Sequence, residues 1–311
     1  MAIYKGNKKV VAVYKGSTPI NKIYKGSTLV FQKSGGGGGS THLFEGTATG
    51  NFNMSINGNS ISITPDADGK WFYDTDEKIT DLKNSFSKAN ELTSVDLSNL
   101  DLTGISTNSM FNNCSNITSI KFNNTKSMKL RDVNSMFYSC SSLTSLDLSN
   151  WNTSSITSTD YMFVNCSSLV SLNLSNWDTS SITSAGFMFA RCESLVSLDL
   201  SSFDGSNIQD MSQMFYGCGR LVSLDLSSFD GSKLTSAYFM FYGCRSLTSL
   251  DLSNFDMSAA TSYNYMFKNC TSLSTIKCKQ AFKDWCITNQ NTIKLPDTMR
   301  EGGSGTWEIV G

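Results

Sequence analysis

The sequence predicts an α/β leucine-rich repeat solenoid with 26-residue repeats and short parallel strands, preceded by a small all-β N-terminal attachment segment. Three observations predict it. Phe111, Phe137, Phe163, Phe189, Phe215, Phe241 and Phe267 are 26 residues apart, each preceded by Met and followed three residues later by Cys. Within a unit, Leu169, Leu172 and Leu174 form the spacing L-x-x-L-x-L, whose last two leucines alternate as a strand requires. Stacking the units then aligns like residues in columns, such as Trp151, Trp177, Phe203, Phe229 and Phe255. A strict, uninterrupted period of this length is the mark of a structure in which each unit contacts only its neighbours.

Residues 1–33 are the first element. They carry seven lysines and no acid, which leaves 18 basic against 26 acidic groups, a net of −8, for the rest of a chain whose total is −1. A decapeptide recurs there, with Tyr4, Tyr14 and Tyr24 each followed by Lys-Gly, as in Lys15-Gly16 and Lys25-Gly26. Each copy reads as a short strand and a tight turn. So small a β piece lies below the roughly 40 residues at which a domain usually needs outside help. It reads either as a self-contained meander with solvated lysines or as an attachment and oligomerisation module that completes its core on another subunit. Tyr4, Tyr14, Tyr24, Lys15 and Lys25 are the candidate attachment residues. The second reading is preferred because the strand edges of a small sheet invite augmentation. Nucleic-acid binding is disfavoured, since lysines at turns protect edges equally well. Residues 34–40, SGGGGGS, have nothing to bury and read as a flexible linker.

Residues 41–84 contain alternating stretches, NFNMSINGNSISITP and KWFYDTD, that predict a small β cap. Residues 85–278 hold eight repeats, the first a degenerate copy at Phe86 with Ala89 in the cysteine place. In each, the residues around Met-Phe-x-x-Cys fit one face of a short helix. Asp178, Asp204 and Asp230, followed by Thr-Ser or Gly-Ser, read as turn residues. Residues 279–311 form a C-terminal cap, with Ala281, Phe282 and Trp285 on a short amphipathic helix and Trp307 to Val310 in a final strand.

The chemistry-bearing residues argue against catalysis. His42 is the single histidine, so Ser/His and Cys/His pairs have no base, and no phosphate-cradling glycine loop joins a strand to a helix. Carboxylates occur in repeated columns, whereas a catalytic dyad breaks symmetry. Seven of the nine cysteines share one inward column, poor geometry for disulfides, and read as free, buried, small apolar side chains. Cys278 and Cys286 are the one pair worth testing as a bridge. A ladder does not converge four zinc ligands, so neither a metal nor a cofactor is expected. No apolar run reaches the 18 or so residues of a membrane span, and the start MAIYKGNKKV lacks signal-peptide features. Folding in a reducing cytoplasm is the corresponding expectation.

The outward strand positions form two polar columns. One holds Ser145, Ser171, Ser197, Ser223 and Ser249; the other holds Asp147, Asn173, Asp199, Asp225 and Asp251, flanked by Asp96, Lys121 and Lys277. They read either as a solvated face that prevents sheet aggregation or as a hydroxyl and carboxylate array that binds a sugar, a protein or calcium.

On the repeated motif MFYSCSSLTSLDLSNWNTSSI, residues 85 to 278 resemble the BspA-type leucine-rich repeat surface proteins. That resemblance implies adhesion or recognition at microbial surfaces and carries no enzymatic residues. The YKGST decapeptides at Tyr14 and Tyr24, with the glycine linker, are similar to N-terminal segments of structural proteins from tailed phages of gut bacteria. Together the two imply a non-enzymatic virion fibre or capsid-decorating protein assembled in the host cytoplasm. Its residues 1–33 would contact other virion proteins, and its repeats a host surface protein or glycan, in a homo-oligomer with a trimer as one option. The alternatives are a bacterial surface adhesin and a purely structural virion decoration; neither nucleic acid nor membrane insertion is expected.

Overall fold

The computed structural model describes residues 42–75, 77–123 and 127–310, with strand backbone also at Tyr14–Lys15, Thr18–Pro19, Lys22–Lys25 and Thr28–Gln32. The backbone strands pair as two antiparallel hairpins. Tyr14, Lys15, Tyr24 and Lys25 fall on them, whereas Tyr4 and the 34–40 linker lie outside the described residues.

From residue 80 onward the chain winds as a parallel β-solenoid. Strands Leu92–Asp96 and Ser119–Lys121 pair in parallel, as do Ser145–Asp147 with Ser171–Asn173. Ser223–Asp225, Ser249–Leu252, Thr275–Lys279 and Thr306–Val310 form one four-stranded parallel sheet. On another side of each rung the chain makes single parallel bridges, running from Ser158 through Ser184, Asp210 and Ser236 to Ser262. The 26-residue register is thus that of the sequence columns: Leu146 lies against Leu172, and Leu224 against Leu250.

The helical component of the expected α/β class is corrected. The Met-Phe-x-x-Cys segments are successive tight turns, and the solenoid is built of sheet and turns. In the rung around Phe163, the N–H groups of Met162, Cys166 and Leu169 donate to the carbonyls three residues back, at Thr159, Phe163 and Cys166. The alternating N–H groups of Thr159, Tyr161, Phe163 and Asn165 donate to Ser184, Gly186, Met188 and Ala190 of the next rung. A helix would close each of these bonds within its own segment. The switch is forced by two left-handed residues per rung, here Tyr161 (φ 60) and Asn165 (φ 58). Their equivalents recur in every rung from Asn84 and Lys88 to Tyr265 and Asn269. Turns four residues apart return the side chains at i, i+1 and i+4 to the same inward side, which is why the spacing imitates a helix.

The interior is a set of continuous columns. The eight phenylalanines from Phe86 to Phe267 are fully buried, and neighbouring rings lie 5.3 to 5.8 Å apart with nearly parallel planes. Such pairs contribute about 0.5–1.5 kcal/mol each beyond the burial of their area. Trp151, Trp177 and Phe203 stack in a second column at 6.2 and 6.0 Å. Leu172 departs slightly from the pattern: it is half-buried where Leu146, Leu198, Leu224 and Leu250 are buried.

Both ends of the stack are covered. Phe44–Ala48 pairs antiparallel with Leu92–Asp96, and Trp71 and Phe52 close the open face of Phe86. The alternating stretch forms the hairpin Phe52–Ile56 with Asn59–Ile63, turning at Asn57 (φ 51) and Gly58 (φ 75) as an Asn-Gly turn requires. At the other end the helix Gln280–Thr288 buries Phe282 and Cys286, and Phe282 meets Phe255 edge to face. Ile293, Leu295 and Met299 complete the seal.

Candidate recognition surface

The strand side brings together most of the polar columns. Ser145 and Asp147 register with Ser171 and Asn173, and Ser223 and Asp225 with Ser249 and Asp251. Ser197 and Asp199, also exposed, lie between these two ladders on a rung that does not form a strand. The array is therefore two segments with an interruption.

Each acidic or amide side chain of this column first serves its own backbone. Oδ1 of Asp147, Asn173, Asp199, Asp225 and Asp251 accepts the N–H two residues on, from Ser149, Ser175, Ser201, Ser227 and Ser253. A second column does the same: Asp178, Asp204 and Asp230 accept from Ser180, Ser206 and Ser232. These are Asx turns, in which a short side chain takes the place of a backbone carbonyl. Gly205 stands in the second turn for a different reason. A Cβ there would lie 2.5 Å from the Phe229 ring, so the next rung leaves no room.

Like charges facing one another along a ladder repel, and lysines offset this at its ends. Lys277 Nζ sits 2.7 Å from Asp251 Oδ2, and Lys121 Nζ 3.0 Å from Asp96 Oδ2. Burial alone would raise the Asp251 carboxyl, but hydrogen bonds from Lys277 and Ser253 bring it below the usual carboxylate value. Asp199 is lowered by hydrogen bonds from Ser201.

Beside the serine column stands a feature the sequence reading missed. Val170, Val196 and Val222 are 56%, 40% and 42% exposed, at the place occupied by Thr118, Thr144 and Thr248 in other rungs. They directly precede Ser171, Ser197 and Ser223, so the signal was present as an apolar residue on a face read as polar.

The cysteines belong to the interior. All nine are free thiols and buried. Each of the seven in the column points its Sγ at the carbonyl of the preceding rung's phenylalanine, at 2.9 to 3.2 Å, from Cys114 on Phe86 to Cys270 on Phe241. They are thus small apolar side chains that also supply a weak donor to a buried carbonyl. Burial pushes Cys114, Cys166, Cys218 and Cys270 up to about 12 and Cys278 to about 11. Among the described residues no group of three His, Cys, Asp or Glu side chains converges as a metal would need. His42 stacks on Phe72 and hydrogen-bonds Asp74, within the N-terminal cap.

A second surface also went unread, on the outer side of the turn tracts. A hollow of about 530 Å³ runs across several rungs, lined by residues that include Asn113, Ser139, Asn165, Ser167 and Glu193. Its sequence signal is the left-handed position two residues after the core phenylalanine, filled in the hollow by Asn113, Ser139 and Asn165 and in later rungs by Arg191, Gly217, Gly243 and Asn269.

No curated protein matches the chain. A family model described as Mycoplasma protein of unknown function, DUF285, matches it twice, over residues 80–197 and 188–294. Those matches together cover more than half of the chain and fall on the solenoid, and both fit a BspA-like repeat protein. With the repeat, the rungs and the family model in agreement, the chain belongs to the DUF285 family.

Proposed function

We propose that the protein is a non-enzymatic adhesion protein whose solenoid presents its strand side to a partner on a host surface. The observation that carries this reading is the exposed valine stripe beside the serine and aspartate columns. Solvated faces gain nothing from a row of exposed apolar side chains, whereas a contact surface combines them with hydrogen-bonding neighbours. The rungs repeat the same weak contact at fixed spacing, and copies on one particle would multiply it through effective concentration.

In its finer form the proposal places the chain on a phage virion, as a fibre or capsid decoration held by residues 1–33, with oligomerisation through the same segment. That part rests on the decapeptides at Tyr14 and Tyr24. Two measurements test the two parts separately. Asp225→Asn combined with Asp251→Asn keeps both Asx turns, since Asn173 makes the same bond, so the fold is preserved while the carboxylates are lost. Weakened binding to host cells is expected, and unchanged binding retires the strand side as the contact. Mass spectrometry of purified particles is expected to find the chain; its absence from particles and presence on bacterial cells would move the same adhesion to a cell surface.

A further inference from the structure

The turn-tract surface differs from the rest of the solenoid in charge and in ring content. In the last four rungs the tracts 187–196, 213–222, 239–248 and 265–274 carry Arg191, Arg220, Arg245 and Lys268 against one acid, Glu193. None of the four cations makes an ion pair among the described residues. The strand and Asx-turn columns of the same rungs are acidic, with Asp199, Asp204, Asp225, Asp230, Asp251 and Asp256. The rod is therefore two-sided electrostatically, with its cations gathered on one side of a net acidic body.

Aromatic rings line the same basic edge. Tyr216 and Tyr242 stack at 5.0 Å, Phe239 and Tyr265 at 5.1 Å, and Tyr161 and Phe187 at 4.7 Å. Arg191 lies over Tyr216, and Lys268 over both Tyr242 and Tyr265. Tyr161, Phe187, Phe239 and Tyr265 all occupy the left-handed backbone position, at φ between 55 and 60. Bulky residues rarely adopt that conformation, and earlier rungs fill it with Asn84, Ser109 and Ser135. Four rungs thus carry an aromatic where a smaller residue satisfies the fold.

Over two of the later rungs the left-handed position after the core phenylalanine carries no side chain. Gly217 (φ 71) and Gly243 (φ 75) hold the positions that Asn113 and Asn165 hold in the 530 Å³ hollow. The same column reaches a second hollow of about 390 Å³ at Asn269 and Thr271, beside Lys294. The turn-tract side thus holds two hollows, one lined by amides, hydroxyls and Glu193 and the other by Lys294 beside Asp297, with the cations and stacked rings on the tracts of the later rungs.

We infer that this turn-tract side binds an acidic polysaccharide, a sugar polymer bearing carboxylate or sulfate groups. Asn and Ser side chains offer paired donors and acceptors to sugar hydroxyls, and the unpaired guanidinium and ammonium groups match the acid groups. Bases of a nucleic acid need open ring faces, whereas Tyr216, Tyr242 and Tyr265 each have one face on a neighbouring ring and a cation, Arg191 or Lys268, over the ring. The inference deepens the adhesion reading by naming a ligand class and a second surface, and it rests on that reading for its biological setting.

The test uses the full chain and measures binding of fluorescent hyaluronan and heparin oligosaccharides, with neutral dextran and a single-stranded oligonucleotide alongside. The wild type is expected to bind an acidic sugar and neither dextran nor the oligonucleotide. Arg245→Gln combined with Lys268→Gln is expected to weaken that binding about tenfold or more, as the loss of two charge-assisted contacts implies. Lys233→Gln, which removes a cation outside the turn tracts, is expected to leave it unaltered. Gly217→Asn places an αL-tolerant side chain beside Arg191 and is expected to weaken binding while the thermal unfolding midpoint holds. Failure to bind either acidic sugar, equal binding of the oligonucleotide, or equal losses with Lys233→Gln would each overturn the inference. Host-cell binding that persists without acidic-sugar binding would overturn it and leave the adhesion reading standing.

Discussion

The buried columns and the turn-tract surface share one repeat but obey different rules. Inside, position after position is repeated: eight phenylalanines, seven cysteines beneath them, and leucines along the strands. Outside, the position two residues after the core phenylalanine passes from Asn113 through Ser139 and Arg191 to Gly243. A rung must fit the rung before and after it, so any change in an interior column is felt on both sides. An outward position meets its neighbours only at its edge, as Asn165 Nδ2 does Ser139 Oγ at 3.3 Å. Departures from the repeat are therefore where a solenoid of this kind is free to acquire a specific partner.

That contrast is broken most strongly by alkali. Burial raises the folded-state thiol values, to about 12 at Cys114, Cys166, Cys218 and Cys270, from an ordinary 9.0. The unfolded chain then ionises first, so this contribution is complete below pH 9 and is lost as the pH rises towards the folded value. Each such thiol removes stability on the order of 1 kcal/mol per pH unit in that window. Denaturant unfolding at pH 8, 9 and 10 is expected to show a steep fall above pH 9, whereas a flat profile would mean that the thiols are accessible. Next in size is Phe163→Ala, which empties a site between Phe137 at 5.5 Å and Phe189 at 5.7 Å. A loss of about 3–5 kcal/mol is expected in the same assay, against little change for a substitution at the exposed Ser155. The smallest effect separates two members of one column. Trp177 Nε1 donates to the Leu148 carbonyl at 3.1 Å, while Trp151 Nε1 has no partner among the described residues. Phe occupies this column at Phe203, Phe229 and Phe255, so it fits in both places. Trp177→Phe is expected to cost about 1 kcal/mol more than Trp151→Phe; equal costs would remove the hydrogen bond from the account.

The parts of the fold legible in the sequence are those that recur. The interval between Phe111 and Phe137 establishes the rung, and Leu172 and Leu174 establish the strand, because stacking demands the same residue at the same place. The conformation of Met-Phe-x-x-Cys was not legible from its apolar spacing, which a helix and a pair of turns satisfy alike. Asn113, Asn165, Gly217 and Gly243 carried the distinguishing information through their tolerance of positive φ, and Tyr161 or Phe187 at such a position concealed it. The strand-side serines and aspartates were readable as columns, but their Asx bonds depend on backbone geometry that a column does not reveal. The turn-tract surface was hidden for the opposite reason: Arg191, Arg220, Arg245 and Lys268 do not share one repeat position, so periodicity averages them away.

The most direct measurement of the central claim is the thermal unfolding of a chain lacking residues 162–187, one whole 26-residue period, beside a chain lacking residues 162–174. Joining Tyr161 to Met188 restores every column, so the first chain is predicted to melt in one cooperative transition with the sheet-rich circular dichroism of the parent, and the second to be unfolded. If the one-period excision unfolds the protein, or the half-period excision is tolerated equally well, interchangeable rungs are not what hold it together.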